Sequence, residues 1–178
     1  MTFIPKIEKT LKVKQIHIPR PTGISQWSVG ARFKFETTIP DRIGTGNLTG
    51  ITLDTHTSTD DTVVLPPGRY FVQATVPVAE PAHADNSIDD QAYVSWQNFS
   101  SSSLNGTYTA FGNKGRSNPA DKLNDAGDNA GVHSFSTGII ESANTIYLQV
   151  QVVTNYLYTT MPTTVWSMDD KLIIWRAD

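Results

Sequence analysis

HSFSTGIIESANTIYLQVQVV, residues 133–153, decides the fold class. From Ile146 the side chains alternate strictly, with Ile146, Leu148, Val150 and Val152 on one face and Tyr147, Gln149 and Gln151 on the other. A period of two over this length marks a strand with one face buried and the other turned to water. Residues 134–140 are strand-like too, and Glu141-Ser142-Ala143-Asn144 supplies a polar break, so the two strands read as a hairpin. Burying the four aliphatic side chains contributes roughly 6–12 kcal/mol, an upper value because an unfolded chain is already partly compact.

The same pattern recurs along the chain. Trp27, Val29 and the run Arg32-Phe33-Lys34-Phe35-Glu36 mark one strand region, and Ile51-Thr52-Leu53 a short one. Val63-Val64-Leu65 ends at the turn Pro66-Pro67-Gly68, where fixed and permissive backbones adjoin. Beyond it Tyr70, Val72, Ala74 and Val76 alternate with Phe71, Gln73 and Thr75. Ala92, Val94 and Trp96 alternate with Tyr93, Ser95 and Gln97, residues 98–106 turn the chain, and residues 107–111 return it. Residues 112–131, GNKGRSNPADKLNDAGDNAG, read as a long polar loop of the kind that is functional or mobile. The closing run Lys171-Leu172-Ile173-Ile174-Trp175-Arg176 is apolar on both faces, as in a central strand or one covered by another subunit. No stretch carries the amphipathic period of a helix. The expectation is an all-β antiparallel sandwich or jelly roll.

Length and composition bound the rest. The 178 residues suit one domain with a real core, and the absence of cysteine removes disulfides and thiolate metal sites. The net charge of −3 argues against a globally basic nucleic-acid binder, and no run could span a membrane as a helix. Residues 1–22 hold Lys6, Lys9, Lys12, Lys14 and Arg20 against Glu8, a net of +4, which leaves −7 on residues 23–178. The expected division is therefore a basic N-terminal arm (1–22) and a β domain (23–178). Within the arm Leu11 and Val13 alternate with Lys12 and Lys14, Ile16 and Ile18 follow out of step as a bulge or a strand end would cause, and Pro19 and Pro21 mark a linker. Two readings stand: an edge strand guarded by lysines, or a tether to an acidic partner through Phe3, Ile4, Lys6, Ile7, Lys9, Lys12 and Lys14. Different halves of the arm can answer to each. The opening residues lack the apolar run of a secretory signal, and the three Asn-x-Ser/Thr sequons are read as chance.

Little points to chemistry. His17, His56, His83 and His133 have no metal-ligand spacing, and Asp125-Ala126-Gly127-Asp128-Asn129 lacks the closing glutamate of a calcium loop. Asp60-Asp61, Asp89-Asp90 and Asp169-Asp170 are sequence neighbours, which extended backbone sends to opposite faces. No serine sits in a nucleophile elbow. A non-enzymatic protein without cofactor or metal is expected. The aromatics are more suggestive: Trp27, Trp96, Trp166 and Trp175 with Tyr93, Tyr147, Tyr156 and Tyr158 exceed what one sandwich interior takes, and Tyr93, Tyr147, Tyr156, Tyr158 and Trp175 mark a candidate subunit interface.

Gly68-Arg69-Tyr70-Phe71-Val72, the strand QAYVSW (91–96), Thr137-Gly138-Ile139-Ile140 leading through a polar turn to Val152, and the closing KLIIW together resemble the tumour necrosis factor-like jelly roll, the fold of complement globular heads. The resemblance spans about residues 24–178. It implies about ten strands in two sheets, assembled as a homotrimer through aromatic residues on one sheet. The lack of cysteine and of a collagen stalk is unlike the animal members and similar to small phage virion proteins of this fold. The expected function is a capsid decoration or head-fibre protein in the virion, made in the host cytoplasm and held to the capsid shell protein by its arm. The alternative is the receptor head of a tail fibre that binds host surface glycan.

Overall fold

Alternation becomes burial where the sequence is most regular: Ile146, Leu148, Val150 and Val152 all lie in the core. The computed structural model describes residues 12–19, 28–36, 48–54, 61–76, 93–118, 132–156 and 171–177. The described elements are β1 (Lys12–His17), β2 (Thr52–Asp54), β3 (Thr62–Leu65), β4 (Gly68–Ala74), β5 (Tyr93–Ser101), β6 (Thr109–Asn118), β7 (Val132–His133), β8 (Ser136–Ser142), β9 (Ile146–Tyr156) and β10 (Lys171–Arg176). All are strands, and each pairs antiparallel with its neighbours.

They form one curled sheet in the order β1-β10-β4-β8-β6-β5-β9-β3-β2, with β7 attached to β6. The sheet folds back so that β1, β10, β4 and β8 face β5, β9 and β3 across a common core. Ile16, Tyr70, Val72, Ala74, Leu172 and Ile174 come from the first half, and Val63, Leu65, Val94, Trp96 and the β9 aliphatics from the second. Two polar contacts pin the halves: the Trp96 indole donates to the Ala74 carbonyl (3.2 Å), and the Ser136 hydroxyl donates to Asn98 Oδ1 (3.2 Å). Such bonds inside an apolar core fix which residues stand opposite, because any slip strands a buried polar group.

The halves are joined on two sides. On one, β6 pairs with β5 along most of its length and touches β8 at Asn113↔Thr137. On the other, residues 28–36 pair with β9 (Phe33 N–H to Val150 O, 3.0 Å; Val152 N–H to Ala31 O, 2.9 Å) and then with β1 (His17 N–H to Glu36 O, 3.1 Å; Glu36 N–H to His17 O, 2.8 Å). Phe33 and Phe35 enter the core while Arg32 pairs with Gln151 on the outside.

Four expectations need correction. Ser136–Ser142 and Ile146–Tyr156 are not a hairpin: β8 pairs with β4 and β6, β9 with β3 and β5, so the polar link between them crosses from one half to the other. A polar break fixes where a chain reverses and leaves open whom each strand pairs with. The arm over residues 1–22 divides, because Lys12–His17 is a sheet strand whose Ile16, with the following Ile18, is buried; residues 1–11 lie outside the described residues. The step between Val13 and Ile16 involves no bulge, since the β1–β10 register runs unbroken from Lys12↔Arg176 to His17↔Lys171. Lys12, Lys14 and Ile16 share one face, and the lysines stand at the end where core gives way to solvent, an inward charge that protects a sheet edge. Lastly, residues 112–118 are strand, not loop.

Gly112 and Gly115, which resemble loop residues in the sequence, lie inside β6. Gly112 has φ 70°, and a Cβ there would run into the Thr137 carbonyl; one on Gly115 would run into the Trp96 indole. Both glycines permit close approach inside a sheet and do not mark a turn. Gly112→Ala should therefore destabilise the chain well beyond the about 1–2 kcal/mol of a left-handed backbone alone. Gly30→Ala, also at positive φ (86°) but with open space around it, should show only that backbone effect. Urea denaturation of the two variants makes the comparison.

Candidate functional site

Consider the outward face of the first half. Register places Val13 (β1) beside Trp175 (β10), Trp175 beside Phe71 (β4), and Phe71 beside Ile139 (β8). The result is an apolar row four strands wide. Phe71 and Trp175 touch through tilted rings, 5.1 Å between centroids. Exposure is greatest on the β8 side, where Ile139 is 58% and Phe135 50% accessible. Immediately behind the row, Val72 and Ile174 fill the core. These strands are thus apolar on both faces, and the interior accounts for only one of them. Polar residues border the row: Gln15, Gln73 and Thr137 on one side, Arg69 and Glu141 on the other.

Of the five aromatic residues expected at an interface, Trp175 lies in this row. Tyr147 lies on β9 in the other half, beside Val64 and Ser101 and half-buried, on the opposite side of the molecule. Tyr93 and Tyr156 occupy directly paired positions on β5 and β9, also in that half. Tyr158 lies outside the described residues, as do Trp27 and Trp166. The structure therefore puts Trp175 on a different half of the sheet from positions 93, 147 and 156. The residues that do accompany it, Phe71, Phe135 and Ile139, carried a readable signal: Tyr70-Phe71 and Ile139-Ile140 are adjacent bulky apolar pairs, which a strand can hold only by being apolar on both faces.

The outward face of the second half is polar and partly sealed. Gln149, expected to face water, is fully buried. Its amide donates to the Thr62 hydroxyl (2.9 Å), Thr62 donates to Asp61 Oδ1 (3.0 Å), and Gln151 donates to Gln149 Oε1 (2.7 Å). Arg32 Nη1 reaches Asp61 Oδ2 at 3.3 Å, with the carboxylate side chain only 3% accessible. Every donor in this chain points toward the buried charge, an order that polarises each bond in the sense that strengthens the next. Tyr108 closes the cluster from the β5–β6 connection, donating to the Leu104 carbonyl (3.0 Å). Burial pushes its phenol above the ordinary range, Asp61 and Tyr147 add to that, and Thr62 and Arg32 act against it. The network joins residues 28–36, β3, β9 and the β5–β6 connection. Its geometry is that of a structural clamp.

Of the tether candidates, Lys12 and Lys14 belong to β1, and Phe3, Ile4, Lys6, Ile7 and Lys9 lie outside the described residues. His17 Nδ1 stands 3.5 Å from Glu36 Oε2 at the junction of β1 with residues 28–36. Among the described residues no group of three or more His, Asp or Glu could hold a metal ion. His56, His83, Asp85, Asp89, Asp90 and residues 125–129 lie outside them.

Two expected outcomes follow from the clamp. Asp61→Ala should lower stability by about 3 kcal/mol, the low end for a broken buried pair because Arg32 is partly exposed, and Gln149→Asp should be comparably damaging by burying a second carboxylate beside the first; chemical denaturation of each variant measures this. Because folding holds the Tyr108 phenol above its unfolded value, that contribution is complete below about pH 10 and is lost as pH rises further. Tyr108→Phe should flatten the alkaline limb of a melting-temperature profile and leave the neutral region's slope unchanged.

Comparison with known proteins adds no relative: no protein-family model matches the chain, and no curated protein matches its sequence.

Proposed function

We propose that the protein is a non-enzymatic, homotrimeric structural component of a bacteriophage virion, a jelly roll that decorates or stabilises the capsid and attaches through its N-terminal residues. The observation that carries the association half of this reading is the apolar row Val13–Trp175–Phe71–Ile139 on the outward face of β1, β10, β4 and β8. Covering that row is favourable in proportion to the apolar area removed from water, and a closed symmetric assembly covers it without leaving an open end. The jelly-roll reading draws support from the path of the chain: β3 to β4, β4 to β5, β8 to β9 and β9 to β10 each pass from one half of the sheet to the other. The phage and capsid part rests on the resemblance of the strand sequences and on the basic N-terminal residues. With Lys12–His17 in the sheet, the tether narrows to residues 1–11, which still hold Lys6 and Lys9 beside Phe3, Ile4 and Ile7.

Light scattering should report about three times the chain mass of 19.6 kDa. Phe71→Asp with Ile139→Asp should give folded monomers, since both side chains are outward and each apolar anchor of an interface is worth about 2 kcal/mol or more. A monomeric parent at micromolar concentration would sink the association reading. Deleting residues 2–11 should leave the melting temperature intact and abolish co-sedimentation with capsid shells, while deleting 2–18 should unfold the chain by stripping Ile16 and Ile18 from the core. Retained co-sedimentation after the shorter deletion would overturn the tether.

A further inference from the structure

We propose that Arg69 and Glu141 form an ion-pair ring between subunits, each arginine reaching the glutamate of the next copy; this rests on the trimeric reading above. The two residues are directly paired on β4 and β8. They sit two residues along their strands from Phe71 and Ile139, on the same outward face, so the charged pair forms the row next to the apolar one. Those two strands also carry the exposed part of the patch, with Phe71, Ile139 and Phe135, so whatever covers the patch approaches the charges as well.

Within one chain the pair is poorly made. Arg69 Nε stands 3.9 Å from Glu141 Oε2, beyond hydrogen-bond length, and the side chains are 55% and 72% accessible. Adjacent opposite charges on an apolar face are self-complementary under cyclic symmetry: rotation brings one copy's base to its neighbour's acid with no third component. A shell surface of either charge sign would match one member and oppose the other. A second copy of this chain is therefore the occupant that satisfies both. In the ring each guanidinium has carboxylates of two chains within reach, and its planar fork suits bidentate pairing.

The test is a charge swap read by native mass spectrometry and light scattering. Arg69→Glu alone and Glu141→Arg alone should each weaken assembly by roughly a hundredfold and yield monomers where the parent is trimeric, because like charges then meet around the ring. The double variant R69E/E141R should be trimeric again, because reversing both charges restores every contact around the ring. Near-UV circular dichroism matching the parent's shows that the single variants remain folded. The neutral pair R69Q/E141Q gives an independent reading: salt should weaken the parent's assembly and leave this variant's unchanged. Trimeric single variants would overturn the ring while the trimer stands, and so would a folded double variant R69E/E141R that stays monomeric. A monomeric parent would instead remove the trimeric reading itself, and the ring with it.

Discussion

The sheet is continuous because one backbone passes close against another. β6 pairs with β5 and then meets β8, and at the crossing the Gly112 backbone lies where any side chain would strike the Thr137 carbonyl. Three residues on, Gly115 gives the Trp96 indole its place, and that indole in turn donates to Ala74 across the core. A missing side chain thus seats the largest buried one, and the largest buried one ties the two halves together. Packing at crystal-like density leaves no room to shift this arrangement sideways.

The two outward faces solve different problems with the same strand geometry. Behind β9 the sequence offers Tyr147, Gln149 and Gln151, and the chain brings Thr62, Asp61 and Arg32 to that side in a run of hydrogen bonds. Behind β4, β8 and β10 it offers Phe71, Ile139 and Trp175, largely apolar side chains on the outward face. A polar face can be completed from within one chain by hydrogen bonds. An apolar face makes no such directional demand, and its free energy follows the area left in water.

How much of this was legible varies with the physics behind each element. The β9 phase could be read from residues 146–152 alone, since burial of one face is a local pattern. That Gln149 would also be buried could not, because its hydrogen-bond acceptor, Thr62, is distant in sequence. The all-β class was legible; the partners of β8 and β9 were not, since pairing is a global competition among strands that a short polar link leaves undecided. Trp175 was picked out by residue type, whereas Phe71 and Ile139 became visible as a row only once four strands were in register. Asp61, read as half of an adjacent acidic pair, proved to be the anion of the clamp because Arg32 arrives from the far side of the chain.

The pairing of β1 has a mechanical meaning. Its six residues bond along their whole length to β10, Leu48 and Glu36 bond its other edge, and β10 is itself held by β4. A pull on the residues before Lys12, directed along the strand, loads all of these bonds together in shear. The same force applied across the strand would open them singly, from one end. The fold therefore resists a pull from its N-terminal side best when the force lies in line with β1, and the buried Ile16 and Ile18 set the depth to which that grip is rooted.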